Sequence, residues 1–306
     1  LQVLTHPRQA LALNSAPLVV VLGNFDGVHL GHQALLAQAQ AYGEVLVLTL
    51  DPHPMVFLKK ASRFLISSAE LKAQWLAAST KYLCTLDFTK IYQQSPAAFM
   101  AEYLADFPAH TAIMVGANFN FGYQQAGTPQ TIQEAYPQFK VHVFPLQTFQ
   151  DDHGNKLPIS SRQIRALLQK GDLQKAAQLL GRPFTLDGTI KRGQGLAHQL
   201  NFATANLPIS PTQILPPFGV YLSTLIHQET RYPAISYLGV RPSVAVHHIP
   251  LLETHLLTTN LDLYEKKVAV ELSTLLRPEQ KFNTITALQE QVALDMALAK
   301  KLHHLD

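Results

Sequence analysis

The sequence predicts an α/β protein: a doubly wound parallel sheet first, then a small antiparallel β-barrel followed by a C-terminal helix. Three observations predict it. Between Pro17 and Leu146 short apolar runs alternate with stretches of helical period, the alternation that builds βαβ units and a parallel sheet. From Phe184 to Phe282 the runs are strand-like throughout, punctuated by Gly and Pro with no helical stretch between, as in compact antiparallel barrels. The tail "TITALQEQVALDMALAKKLHH" then brings back Ile285, Leu288, Val292, Met296 and Ala299 at three- and four-residue steps, which is one stripe of a helix.

The elements follow in chain order. The first-half runs are "LVVVL" (18–22), "EVLVLTL" (44–50), "YLCTLDF" (82–88), "TAIMVG" (111–116) and "KVHVFPL" (140–146). They show little polar alternation, as expected of strands buried on both faces. Between them "HQALLAQAQAYG", "SAELKAQWLAAS" and "SPAAFMAEYLADF" read as helices, with Ser68 and Ser95 as N-caps. Two more helices, "SSRQIRALLQKG" and "GDLQKAAQLLG", end on Gly171 and Gly181 in C-cap positions. The barrel strands are expected in "FTLDGTIK", "FGVYLSTLIH", "RYPAISYLGV", "LLETHLL" and "KKVAVELSTLL". Thr286 and Gln289 fit a capping box at the last helix. The domain boundary is expected at Gly181–Arg182, giving domains 1–181 and 182–306.

A chain of 306 residues has room for two cores. With 47% hydrophobic and 15% charged residues it has the composition of a soluble globular protein. A net charge of +3, with Lys and Arg scattered, argues against a nucleic-acid partner. No apolar run approaches the roughly 18 residues of a membrane span, and the N-terminus does not read as a signal peptide. The expectation is a cytoplasmic protein with no membrane partner. The single cysteine, Cys84, excludes an intrachain disulfide and reads as a small buried hydrophobe rather than a catalytic thiol. Oligomeric state is not legible in the sequence.

The chemistry concentrates in "GNFDGVHLGH" (23–32), directly after the first buried run. In a doubly wound sheet ligands gather beyond the carboxyl ends of the strands. Gly23, Gly27 and Gly31 let the backbone turn tightly and let phosphate oxygens come close. A helix beginning near Gly31 aims free N–H groups and its positive dipole end at the same place. His29 and His32, three apart, can both face one phosphate as donors. The spacing matches neither the dinucleotide G-x-G-x-x-G nor the P-loop. A partial zinc site lacks an evident third ligand nearby, and purely structural histidines do not account for the glycines. Phosphate handling fits best.

These residues also carry a resemblance. "GNFDGVHLGH" resembles the HxGH signature of the nucleotidylyltransferase superfamily, in the form found in bacterial bifunctional riboflavin kinase/FAD synthetases. "DPHP" (51–54), "VGANFNFG" (115–122), "ISSRQIR" (159–165) and "GDLQKAAQLLGRPF" (171–184) are similar to that family in order and spacing. So are "FATANL" (202–207), "FGVY" (218–221), "LGVRPS" (238–243), "ETHLL" (253–257), "DLY" (262–264) and "LRPEQKF" (276–282). The resemblance implies a first domain that transfers AMP from ATP to FMN, giving FAD and pyrophosphate. It implies a second domain that phosphorylates riboflavin with ATP, and Mg2+ as cofactor. Both reactions rest on positioning and on neutralising moving charge.

The resemblance also implies roles. His29 and His32 would hold the ATP phosphates and stabilise the departing pyrophosphate. Gly23, Asn24, Phe25 and Asp26, with Gly31, would wall the nucleotide and flavin phosphate, and Asn118 would contact substrate. Ser160, Ser161 and Arg165 would offer hydroxyls and a cation at a helix N-terminus, which suits an anion; plain N-capping explains the serines equally. His53 reads equally as a loop-shaping residue. Thr204 would coordinate magnesium, Asn206 would fix phosphates, and Glu253 would take the proton from the ribityl hydroxyl as general base. Without the resemblance Glu253 is one acid in a strand, more often part of a solvated face.

The departures from the family pattern are uneven. Ala197, His198, Asn201 and Ala203 stand where the family has glycine, arginine, glycine and proline, and Glu265 where glycine commonly follows "DLY". Ala197 and Asn201 restrict backbone that glycine leaves free, and His198 gives up a fixed cation. In the first half Arg162 replaces a frequent threonine, while His29, His32 and Asn118 remain. Adenylyl transfer is therefore the firmer expectation. The alternatives are an FAD synthetase with a silenced barrel, transfer to another phosphomonoester, and a flavin- or nucleotide-binding sensor without turnover.

Overall fold

The computed structural model describes residues 1–13, 16–150, 154, 156–192, 204–240 and 250–305. Ala197, His198, Asn201 and Ala203 lie outside the described residues. The chain divides into two compact units, Leu1–Leu65 with Ala69–Gln163, and Ile66–Ser68 with Ile164–Asp306.

The first unit runs β1 (Gln2–Leu4), α1 (Arg8–Leu13), β2 (Leu18–Leu22), α2 (Leu30–Ala39), β3 (Glu44–Asp51), α3 (Pro54–Phe57), α4 (Ala69–Leu76), β4 (Tyr82–Asp87), α5 (Phe88–Ile91), α6 (Pro96–Tyr103), β5 (Ala112–Gly116), α7 (Pro129–Ala135) and β6 (Lys140–Phe144). A short hairpin, β7 (Thr148–Gln150) and β8 (Lys156–Pro158), leads to α8 (Ser161–Lys170), and the division between the units falls within α8. Six strands form one wholly parallel sheet in the order β1-β4-β3-β2-β5-β6. The expected runs are all strands of it. β1 is an addition, paired with β4 at the sheet edge.

All five residues of β2 are buried, which explains the run of Leu and Val without polar alternation. Their side chains alternate between two cores. Val19 and Val21 pack with Leu35, Leu36 and Ala39 of α2 and Leu76 of α4. Leu18, Val20 and Leu22 share a core with Phe99 and Met100 of α6 and Ile132 of α7. Cys84 lies in that second core, fully buried. Burial pushes its thiol up to about 11, so the group is inert at neutral pH. Ser95 caps α6 as expected, accepting from the Ala98 N–H at 3.2 Å.

The second unit takes in α9 (Leu173–Leu180), then β9 (Phe184–Thr189), β10 (Ala205–Pro208), β11 (Gly219–His227), β12 (Thr230–Val240), β13 (Pro250–Leu256), β14 (Lys267–Pro278) and α10 (Ile285–Leu302). Gly171 and Gly181 have φ of 79° and 74°, the left-handed C-caps that the sequence predicts. The sheet is antiparallel throughout, in the order β10-β13-β12-β11-β14-β9. Its edges meet where the Lys191 N–H donates to the Asn206 carbonyl at 2.9 Å, so the sheet nearly closes into a barrel. β10 is the one strand of this sheet that no expected run covered. Strict burial alternation along β13 separates an inner from an outer face. Inside, the hydroxyls of Ser223, Ser236 and Thr254 form a buried chain with both O···O distances 2.8 Å, so these three hydroxyls satisfy one another.

Before β14 the chain turns at Glu265, whose φ of 59° is left-handed; its N–H donates to the Ile190 carbonyl at 3.0 Å. The turn is thus kept where glycine is commonly expected. α10 begins earlier than Thr286 suggested. Thr284 has the extended backbone of a cap and accepts from the Ala287 N–H at 3.1 Å, which places Thr286 inside the first turn. Of the expected stripe, Ala299 is buried and Ile285 is exposed. What pins α10 is ionic: the Arg277 Nε donates to both oxygens of buried Asp295, at 3.0 and 2.9 Å. The His303 ring adds contacts to the Ser223 and Ala234 carbonyls. Among the described residues no helix is long and apolar enough to cross a membrane.

Arg277→Met strands the Asp295 carboxylate without its cation. The second unit should lose about 3 kcal/mol, measured by urea denaturation of the full chain.

Candidate functional site

The strand order reverses beside β2: β3 and β4 follow on one side, β5 and β6 on the other. The loops leaving the carboxyl ends of β2 and β5 therefore flank a topological switch point, where open α/β sheets bind ligands. Residues 23–29 are the first of these loops. Its backbone is left-handed at Phe25 (φ 51°), Gly27 (φ 80°) and Val28 (φ 37°), two of them residues that resist this conformation. The side chains of Phe25 and Val28 are each 1% exposed and sit in the core with α2. Phe25 thus presents almost nothing to solvent, while Asn24 is exposed.

His29 is the N-cap of α2. Its Nδ1 accepts the His32 N–H at 3.3 Å. An accepting Nδ1 leaves the ring proton on Nε2, so the cap fixes the tautomer and turns His29 into a donor at its far edge. The His32 ring stacks on it with centroids 3.6 Å apart and planes 15° from parallel, and Phe25 flanks His32 at 5.0 Å. Gly31 makes room: a Cβ there would stand 3.2 Å from His29 Nδ1. The spacing thus does bring both imidazoles together, but through a cap that the sequence did not suggest, since capping acceptors are usually Ser, Thr, Asp or Asn.

Two stitches hold the turn. Ser161 donates to the Asp26 carbonyl at 3.0 Å, and Thr49 donates to the Asn24 carbonyl at 3.1 Å. Ser160 caps α8, accepting from the Gln163 N–H at 3.3 Å. The serine pair therefore does both jobs, one residue each. Arg165 follows one turn along α8 and Arg162 is exposed. Asn118 is exposed in the tight turn just past β5, the strand beside β2. His53 shapes its loop by capping α3, accepting from the Met55 N–H at 3.1 Å, with its ring 4.9 Å from Phe64.

The barrel carries a second constellation. Asn206, Glu253 and Tyr237 stand directly opposite one another on β10, β13 and β12, so they share one face. Asn206 is 6% exposed, and its amide donates to the Thr204 carbonyl at 3.2 Å. Tyr237, which sequence reasoning missed, donates its hydroxyl to Glu279. Burial first, then that hydrogen bond and the charges of Glu279 and Glu253, push its phenol well above the ordinary range. Gly239 leaves space for it, since a Cβ there would fall 2.2 Å from the phenol oxygen. Among the described residues no three His, Cys, Asp or Glu side chains cluster as metal ligands, so the zinc reading of His29 and His32 gains no third ligand.

A parallel sheet with a glycine-rich turn at its switch point, and a barrel with a hydroxyl, amide and carboxylate set, fit a two-domain transferase. The family model described as FAD synthetase matches residues 12–163, and that described as riboflavin kinase matches residues 180–303. A bifunctional riboflavin kinase/FMN adenylyltransferase of Pseudomonas fluorescens is 33% identical over 93% of this chain and 92% of its own length. Relatives of the same description from Escherichia coli K12 and Bacillus subtilis are 31% and 30% identical, over 94% and 95% of this chain and 95% and 94% of their own. A crystal structure named as a macrolide-efflux protein of Streptococcus pneumoniae aligns with a TM-score of 0.78 at 25% identity, covering 94% of this chain and 95% of that one. The chain belongs to the bifunctional riboflavin kinase/FMN adenylyltransferase family.

Gly31→Val should push the His29 ring off its cap position and break the stack. The His29 and His32 ring-proton shifts in a histidine-edited NMR spectrum should move while the methyl signals of the β2 core stay in place.

Proposed function

We propose that the chain makes FAD in two steps, phosphorylating riboflavin to FMN in one domain and adenylylating FMN in the other. Both substrates are small molecules, ATP being common to the two steps, and neither nucleic acid nor membrane is a partner. The proposal includes a cytoplasmic location. The functional division is proposed at Gly181–Arg182, a reading supported by the riboflavin kinase match beginning nearby, at residue 180.

The observation that carries the first activity is His29 as a cap whose ring proton is held on Nε2, stacked on His32 at the switch point. An oxygen of the FMN phosphate attacks the α-phosphorus of ATP, and the bond to the bridging oxygen of pyrophosphate breaks. No base and no covalent intermediate are needed, because the attacking phosphate is already ionised. The protein's work is at the leaving group, where charge builds. His29 and His32 donate to it, and the N–H groups opening α2 add their dipole. Gly23, Asn24, Phe25, Asp26 and Gly31 supply the backbone cradle. Asn118, Ser160, Ser161 and Arg165 are assigned to the rim that holds the nucleotide and flavin phosphate.

In the barrel Glu253 takes the proton of the ribityl hydroxyl as it attacks the γ-phosphorus of ATP, the bond from that phosphorus to the β–γ bridging oxygen breaks, and ADP leaves. Tyr237 and Asn206, opposite it on both sides, fix where that carboxylate stands. The Thr204 hydroxyl is a hard oxygen donor of the kind that fits Mg2+, which is bound through few protein ligands and substrate phosphates. Thr204 would hold the ion, with Asn206 fixing the phosphates. Magnesium, when bound, neutralises charge on the phosphate oxygens.

Purified protein with Mg-ATP and either riboflavin or FMN, analysed by chromatography, tests the whole reading. FAD from both is expected; FAD from FMN alone would mean a silenced barrel, and binding without product a sensor. Replacing His29 and His32 together by Ala should lower FAD formation about 1000-fold and spare FMN formation. Glu253→Gln should do the reverse, lowering riboflavin phosphorylation at least about 100-fold; a normal rate would remove Glu253 from the role of base.

A further inference from the structure

One charged side chain near the turn has no part in the roles above. Lys72 lies on α4, and its ammonium donates to the Thr49 hydroxyl at 3.3 Å and to the Leu50 carbonyl at 3.4 Å. Thr49 is fully buried and passes the contact on, donating to the Asn24 carbonyl at 3.1 Å. A path of hydrogen bonds therefore runs from α4 to the backbone of the turn. Burial pulls the Lys72 pKa down, and the nearby negative charges of Asp26 and Asp51 work against that pull.

Asp26 makes this cation consequential. Its side chain belongs to the turn itself and the residue is 4% exposed. A carboxylate shielded from water inside an anion cradle repels the anion it is meant to admit, because a low local dielectric strengthens like-charge repulsion. Lys72 is a cation that interacts electrostatically with Asp26, and its charge offsets that field. Asp51, at the end of β3, is exposed and is screened by solvent, so the balance that matters is between Lys72 and Asp26.

We propose that Lys72 is a positioning residue of the adenylyl-transfer site: its charge offsets Asp26, and through Thr49 it holds the Asn24 carbonyl, so that the turn accepts a polyphosphate. The inference rests on the adenylyl-transfer reading given above. It gives α4 a functional tie to the turn that sequence spacing does not reveal.

The test compares wild type with Lys72→Gln, Lys72→Met and Lys72→Arg in the full chain, following FAD formation from FMN while varying Mg-ATP. Glutamine keeps hydrogen-bond donors but no charge, which separates charge from mere support. Gln and Met should raise the KM for ATP about tenfold or more with a smaller change in kcat. Arg should stay within about threefold, and riboflavin phosphorylation by the same preparations should be unchanged. A Gln variant with the wild-type KM overturns the proposal, as does a loss confined to kcat. If the Met variant does not fold, Gln and Arg decide. If wild type forms no FAD, the adenylyl-transfer reading fails by itself, and calorimetry with inorganic pyrophosphate then tests the charge balance. Binding about tenfold weaker in Lys72→Gln supports it; equal binding, or none by wild type, overturns it.

Discussion

The first unit is organised around a strained turn clamped by its own side chains. Left-handed backbone at Phe25 and Val28 costs on the order of 1–2 kcal/mol per residue. Full burial of each of these side chains returns roughly 1.5–3 kcal/mol. The balance holds only while both reach the core between β2 and α2, so the turn cannot relax without opening that core. Everything polar at the site is built on this clamp. His29 can cap α2 because Val28 delivers it in extended backbone, and the carbonyls of Asn24 and Asp26 are aimed at Thr49 and Ser161. Core and site are thus the same residues seen from two sides.

The barrel solves a related problem by division of faces. Along β13 every second residue is buried, and Thr254 joins the internal hydroxyl chain while its neighbour Glu253 stands on the other face. The carboxylate is thereby held on a rigid ladder between Asn206 and Tyr237 rather than on a loop. Closure through Lys191 and Asn206 brings the amide to the seam of the barrel. A register slip of one residue would exchange Glu253 with Thr254 and bury a charge.

Much of this was legible in the sequence, for identifiable reasons. The central strands were readable because burial on both faces demands unbroken Val, Leu and Ile, and α9 because Gly181 marks its end. β1 was not, since three residues carry no period, and β10 was not, since all but its last residue lie inside "FATANL", a segment read for chemistry. The cap falls on Thr284 rather than Thr286 because both suit a cap by residue type, and only backbone angles separate them. At the site, the pairing of His29 with His32 was legible from their spacing. Its means was not, because an imidazole acceptor at a helix start has no sequence signature of its own. Lys72 and Tyr237 stayed hidden for a third reason: each meets its partners across strands or helices far apart in the chain.

Glu265 has a further consequence. Its left-handed backbone costs on the order of 1 kcal/mol relative to glycine, and glutamate and glycine codons differ by one base. The relief is therefore a single mutational step away, and this chain has not taken it. A typical domain has a net stability of about 5–15 kcal/mol, so this one turn costs the barrel a noticeable share of what holds it folded.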